Sequence, residues 1–169
     1  MKTYIRIICV VLSLTALISC TEKQDKQAMV QQAKAIESTD ECHLCGMLIT
    51  RFTGPKGELL KKGISVQQSN TVHKFCSTRD LFSFYLDPEN RRNVTTIYVH
   101  DMSKMPWDAP DDSYFIDAKS AWFVSDSSKT GAMGKTLASF SKKEDAVLFS
   151  KEFGGTVLSF EQINLSILM

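Results

Sequence analysis

Three regimes of apolar patterning divide the chain. Behind Lys2 and Arg6, residues 7–17 form a mostly apolar run that ends in Leu17-Ile18-Ser19-Cys20. The next stretch, residues 21–39, is polar, rich in Gln and Lys, and has no sustained apolar face, which is the composition of a flexible tether. From Asp40 onward, short β-rich runs alternate with turn signals, and two stretches carry a helical pattern.

Those two stretches resemble each other. His73-Lys74-Phe75-Cys76 leads through Ser77-Thr78 into Arg79-Asp80-Leu81-Phe82, and Leu137-Ala138-Ser139-Phe140 leads through Ser141 into Lys142-Lys143-Glu144-Asp145-Ala146. The spacing predicts helices over 78–86 and 142–153. Ser77 or Thr78 is placed to cap the first, with Asp80 favourable in its first turn, and Ser141 with Glu144 has capping-box spacing for the second. Asp87-Pro88-Glu89-Asn90 and Gly154-Gly155 then signal turns, followed by strands at 95–99 and 156–160. Further strands are expected at 48–51, 58–60, 114–117 and 121–125. The fold class is therefore α+β, as two repeated ββαβ units over 40–104 and 105–169. Neither has much core to bury alone, so the two are expected to pack together.

The apolar run is too short to cross a hydrocarbon core of roughly 30 Å. With its basic start and a small residue before Cys20, it reads as a lipoprotein signal over 1–19, cleaved so that a lipidated Cys20 begins the tether of 20–39. More than one acyl chain gives stable attachment to a membrane. By resemblance to the sorting pattern of bacterial lipoproteins, Thr21 in place of an aspartate favours the periplasmic face of the outer membrane over the inner one. The formal net charge of +1, with no basic stripe, argues against a nucleic-acid partner. No nucleophile–base–orienter set, phosphate-binding loop or catalytic carboxylate pair stands out, so an enzyme is not expected.

The sharpest chemistry lies in Asp40-Glu41-Cys42-His43-Leu44-Cys45-Gly46-Met47, which places two thiols, an imidazole and a thioether within six residues. Thiolate and thioether are soft donors, and together they select Cu(I) over harder divalent ions. Other readings stay open: a Cys42–Cys45 disulfide, structural or belonging to a thiol-disulfide oxidoreductase, or a zinc site, for which a second CxxC is missing. Covalent haem attachment is excluded, because Gly46 follows the second cysteine where His would be required. A second candidate is Tyr98-Val99-His100-Asp101-Met102. There His100 and Met102 would share a face if the strand continued. Cys76, just before a helix, reads as a buried inert thiol or an activated one.

Many of these segments occur together in one order: the Ser19-Cys20 lipidation site, DECHLCGMLI, GPKG, KFCST, LDPENR, YVHDM, a Trp followed by PDD, the IDA and SA pair, and GAMG. In this the chain resembles the NosL family of copper-binding lipoproteins that accompany nitrous oxide reductase. The resemblance implies a periplasmic Cu(I) metallochaperone that supplies the copper centres of nitrous oxide reductase together with an ABC-type maturation transporter and its periplasmic subunit. It implies paired ββαβ units of treble-clef character. It also implies a ligand set of one cysteine with methionine and a nitrogen donor, which falls on Cys45, Met47, Met102 and His100 and leaves Cys42 without an assigned role.

Overall fold

The computed structural model describes residues 32–63, 69–103 and 105–169, so Cys20, the signal segment and most of the tether lie outside the described residues. Strands β1 (Gly57–Lys61), β2 (Thr71–Phe75), β3 (Val94–His100) and β4 (Phe115–Asp117) form an antiparallel sheet in the order β2-β1-β3-β4. Helix α1 (Thr78–Tyr85) connects β2 to β3. The chain continues through β5 (Trp122–Ser125), a small hairpin of β6 (Thr130–Gly131) and β7 (Gly134–Lys135), β8 (Ala138–Phe140), helix α2 (Lys143–Phe153), β9 (Thr156–Ser159) and a terminal turn of helix α3 (Leu165–Leu168). The second sheet has the order β8-β5-β9. In both halves the first strand sits in the middle, between the strand that precedes the helix and the strand that follows it. β4 pairs with β3 although it lies past residue 105, where the sequence pattern divides the halves.

The halves share a core because α1 presents Leu81, Phe82 and Tyr85 on one buried side. Phe82 meets Phe123 of β5 edge-on, with ring centroids 5.2 Å apart, and leans on Phe160 at 5.5 Å. Burying such side chains across the join stabilises by roughly 2 kcal/mol each. The seating of α1 on β1 depends on Gly57, since a Cβ there would stand 2.7 Å from Leu81 Cδ1. The cap works as the sequence predicts: Ser77 Oγ accepts the Asp80 amide at 3.0 Å.

Two expectations are corrected. Residues 48–51 are not a strand. Leu48 makes a single bridge to Glu41, and Ile49–Arg51 form a 3-10 turn that drives Ile49 into the core. The chain has just reversed at Gly46, so the two arms bridge at one residue pair, flanked by the Cys42–Met47 and Ile49–Asp40 hydrogen bonds, before Ile49 turns inward. The capping box at α2 is absent as well. Lys142 is the cap and its donor-only ammonium accepts no amide, while the Ser141 amide that a capping box would give to Glu144 is bonded to Asp101 Oδ1 at 3.1 Å.

The described end of the tether is fastened to the first sheet. The Lys34 amide donates to Glu58 Oε2 at 2.8 Å, the Ile36 amide donates to Asp112 Oδ2 at 2.6 Å, and Lys74 Nζ donates to the Ala35 carbonyl at 2.6 Å. Ile36 packs against the main core.

Candidate metal centre

The CxxCGM segment folds into a tight knuckle. The Gly46 amide donates to the Cys42 carbonyl and the Cys42 amide to the Met47 carbonyl, each at 2.8 Å. Gly46 sits at φ +72°, a backbone state that costs a side chain about 1 kcal/mol, and there lies the reason for glycine after the second cysteine. The reversal aims main-chain N–H groups at sulfur: those of Leu44, Cys45 and Cys76 bond Cys42, and that of Met47 bonds Cys45. The His43 amide donates to the Lys74 carbonyl at 2.8 Å, which fixes the knuckle to β2.

That attachment matters because β2 leads directly into Cys76 and the first turn of α1. The sulfurs of Cys42, Cys45 and Cys76 and a carboxylate oxygen of Asp80 all lie within 4.8 Å of one another. Cys45 Sγ stands 3.5 Å from Cys76 Sγ, Cys76 Sγ is 3.0 Å from Asp80 Oδ2, and Cys42 Sγ is 3.7 Å from the same oxygen. These three cysteines are free, with Cys42 and Cys76 buried and Cys45 exposed.

The electrostatics divide the thiols. The Cys76 thiol and the N–H groups around it hold Cys42 well below the ordinary thiol range against the opposing effect of burial. Donating toward Cys42, burial and the Asp80 carboxylate push Cys76 up. Cys45 is raised, chiefly by burial. One thiolate is thus already favoured in the metal-free centre. Nearby, burial pushes the buried Lys56 ammonium down to about 8. Its Nζ donates to the carbonyls of Phe52 and Thr53 at 2.6 and 3.0 Å.

The residues marked in the sequence fall in different places. Met47 belongs to the knuckle and is half-buried two positions past Cys45. Met102 is buried in a separate apolar cluster with Val124, Ala138, Phe140 and Ala146, and its amide donates to the Ser139 carbonyl at 2.8 Å. β3 ends at His100, so the shared face of His100 and Met102 is lost to the turn at Asp101. Both ring nitrogens of His100 are engaged: Nδ1 accepts the Lys56 amide at 3.1 Å, and Nε2 lies 2.9 Å from Asp112 Oδ1. The ring stacks on Phe115 with centroids 4.1 Å apart, and burial lowers its pKa against the pull of Asp112, so it is neutral with Nε2–H donating. The structure therefore brings Cys45 and Met47 together with Cys42, and places Met102 and His100 in other surroundings. On the outer side of the knuckle, His43 lies against His73 with ring centroids 3.9 Å apart. The imidazole of His73 is pushed down to about 4 by burial, aided by His43 and Lys61.

Asp80 is the group that sequence reasoning took only for a favourable first-turn charge, and Cys76 the one it left between two roles. Their spacing, Cys76-x-x-x-Asp80 across a helix cap, is the signal that pairs them: four residues apart, the cysteine just before the helix and the acid in its first turn both face the same point. The CxxC also fails to open a helix, which is the setting a thiol oxidoreductase uses to activate its first cysteine.

Related proteins match nearly the whole described length of the chain. Residues 33–168 match the family model NosL. The chain is 43% identical over 152 residues to the copper-binding lipoprotein NosL of Stutzerimonas stutzeri, covering 90% of this chain and 76% of that protein. It is 31% identical over 166 residues to the copper-binding lipoprotein NosL of Achromobacter cycloclastes, covering 96% and 82%. Among solved structures, the crystal structure of the copper chaperone NosL from Shewanella denitrificans superposes with a TM-score of 0.74 at 58% identity, over 80% of this chain and 97% of that one. A match that runs from the strap at residue 33 through the knuckle, the Cys76–Asp80 turn and the second sheet covers every described element, and by it the chain belongs to the NosL family.

Proposed function

We propose that the protein is a membrane-anchored carrier of Cu(I), and not an enzyme. The observation that carries this is the convergence of three thiols on one point with a single sulfur, that of Cys45, open to solvent. Soft sulfur donors select Cu(I) from the metals of an oxidising compartment. The cargo ion enters at Cys45, with Met47 two positions on in the same knuckle as a further soft donor, and the buried sulfurs of Cys42 and Cys76 complete the exchange of water for sulfur. The ion leaves when a partner's thiolate, thioether or imidazole joins it and the ligands here detach one by one, with Cys45 the first a partner meets. Met102 and His100 serve the fold.

Cys20 carries the lipid anchor in this reading, with the outer membrane favoured by Thr21. The recipients proposed are the copper centres of nitrous oxide reductase, reached with an ABC-type maturation transporter and its periplasmic subunit. Membership of the NosL family supports this, and copper-dependent capture of the purified reductase tests it.

A second reading has its own observation. Three thiols and the Asp80 carboxylate make four donors of the kind that close around Zn(II).

The deciding experiment is an anaerobic Cu(I) titration against a competing chelator, repeated with Zn(II), on the parent and on Cys42→Ser, Cys45→Ser, Cys76→Ser, Met47→Ala and Asp80→Asn. Tight uptake of one Cu(I), weakened at least tenfold (about 1.4 kcal/mol) by each cysteine change, is expected. If Asp80→Asn impairs Zn(II) binding while Cu(I) binds no better than to an isolated thiol, the zinc reading takes its place.

A further inference from the structure

The three sulfurs of the centre differ in reach and in what holds them. Cys45 is exposed, whereas Cys42 and Cys76 are 2% and 0% exposed. The Cys45 sulfur rests 3.5 Å from that of Cys76, in van der Waals contact across 31 residues of chain. Cys42, its CxxC neighbour, is the sulfur that the N–H groups of Leu44, Cys45 and Cys76 point at. Turning Cys42 toward Cys45 to make a bond would strip those buried donors of their acceptor, at roughly 1–3 kcal/mol for each one left unsatisfied. Among the described residues, Cys76 is held by the Asp80 carboxylate and Cys42 and not by main-chain donors of this kind.

We propose that in the metal-free protein Cys45 and Cys76 form a reversible disulfide that shuts the centre to copper. Its consequence rests on the Cu(I) reading above; its occurrence rests on the sulfur geometry alone. The oxidant is a disulfide donor of the thiol-oxidising compartment into which the chain is exported. The exposed Cys45 attacks that donor, one donor sulfur leaves as a thiol, and a mixed disulfide forms. Buried Cys76, which no external disulfide reaches, then displaces the second donor sulfur as a thiol. Two protein thiols and one donor disulfide become one protein disulfide and two donor thiols, so two electrons and two protons pass to the donor. The sulfurs close from contact to about 2.05 Å, a shift that rotation of Cys45 in its solvent-facing knuckle supplies. Oxidised sulfur is no thiolate donor, so loading then waits on a dithiol reductant, which reverses the same two exchanges. Bound Cu(I) occupies both sulfurs and blocks the reaction.

The exported chain in detergent, reduced and stripped of metal, is treated with oxidised glutathione, then alkylated and digested with trypsin. Cys42 and Cys45 share the peptide 35–51, and Cys76 lies alone in 75–79. A 35–51/75–79 cross-link with Cys42 alkylated is expected, retained in Cys42→Ser and reduced at least tenfold by prior loading with Cu(I). An internal Cys42–Cys45 disulfide, a stable glutathione adduct on Cys45, or three alkylated thiols overturns the proposal. If the cross-link never forms while Cu(I) binds tightly, this inference falls and the copper reading stands. If it forms equally with and without Cu(I), the gate falls together with the assignment of copper to these sulfurs.

Discussion

Met102 shows what one residue's surroundings decide. A methionine two positions past a strand histidine has the donor chemistry of a copper ligand, yet here the side chain fills the cluster of Val124, Ala138, Phe140 and Ala146. Met102→Ala is therefore expected to lower unfolding free energy by about 2–4 kcal/mol, the cost of a large-to-small change in a packed core, and to leave Cu(I) affinity within twofold of the parent. Urea denaturation and a chelator competition on the same preparation read the two effects separately. A tenfold loss of affinity in a still-folded variant would return Met102 to the ligand set. Gly46 has the opposite profile. It is exposed, and a Cβ added there would meet nothing within 4 Å, so only its φ of +72° penalises Gly46→Ala. That substitution is expected to cost about 1 kcal/mol in stability and to weaken Cu(I) more than tenfold by moving Cys45 off the sulfur cluster. The CxxCGM half of the centre was legible in sequence because its geometry is local, set by one turn. The Cys76–Asp80 half was not, since only the pairing of the knuckle with β2 carries it across the intervening residues.

At the scale of elements, the same turn that caps α1 also places two members of the centre. Ser77 holds the Asp80 amide, Cys76 lies immediately before it, and Gly57 lets Leu81 settle on β1. Ser77→Ala is expected to cost about 1 kcal/mol, as lost caps do, and Gly57→Ala more, because the added methyl must push Leu81 away. Both are expected to weaken copper binding, since the start of the helix is the arm that carries Cys76. Ser141→Ala, by contrast, removes no cap bond at α2, only the bond of an exposed hydroxyl to Asp101, and is expected to cost about 0.5 kcal/mol, less than either. Thermal melts of the three variants check this order. The strand-through-Phe-into-helix pattern revealed both ββα arms from sequence, since period and caps are local signals. The 3-10 turn at Ile49–Arg51 and the β6–β7 hairpin escaped: the first follows from the reversal at Gly46, and the second is too short to show an alternation.

For the molecule as a whole, the fastening of residues 34–36 to the first sheet is expected to respond to pH. Glu58 lies in the central strand β1, paired across with Lys74 of β2 and Tyr98 of β3, and is fully buried beneath the strap. Its Oε2 accepts the Lys34 amide, while Oε1 has no hydrogen-bond partner among the described residues. Burial pushes its pKa from 4.5 up to about 7, with Asp112 and Asp40 adding to the rise and the Lys34 amide and Lys74 opposing it. A carboxyl raised in the folded state favours folding fully below about pH 4.5, and that contribution is lost as pH climbs through about 7. Asp40 and Asp112, whose pKa values are lowered, act with the opposite sign and in the more acidic range below 3.8, so the two windows do not overlap. Between pH 4.5 and 7.5 the parent is thus expected to lose on the order of 2 kcal/mol that Glu58→Gln does not lose. Denaturant titrations of both proteins at the two pH values measure it, and parallel curves would remove Glu58 as the cause. The loss should also be local: as Glu58 ionises without a partner for Oε1, opening the strap becomes cheaper. Hydrogen exchange at the Lys34 and Ile36 amides is then expected to accelerate with pH beyond its intrinsic rise and by more than amides of β1 and β3, which feel only the global loss. If it does, the fastening of the anchored end to the sheet loosens near neutral pH and tightens in acid.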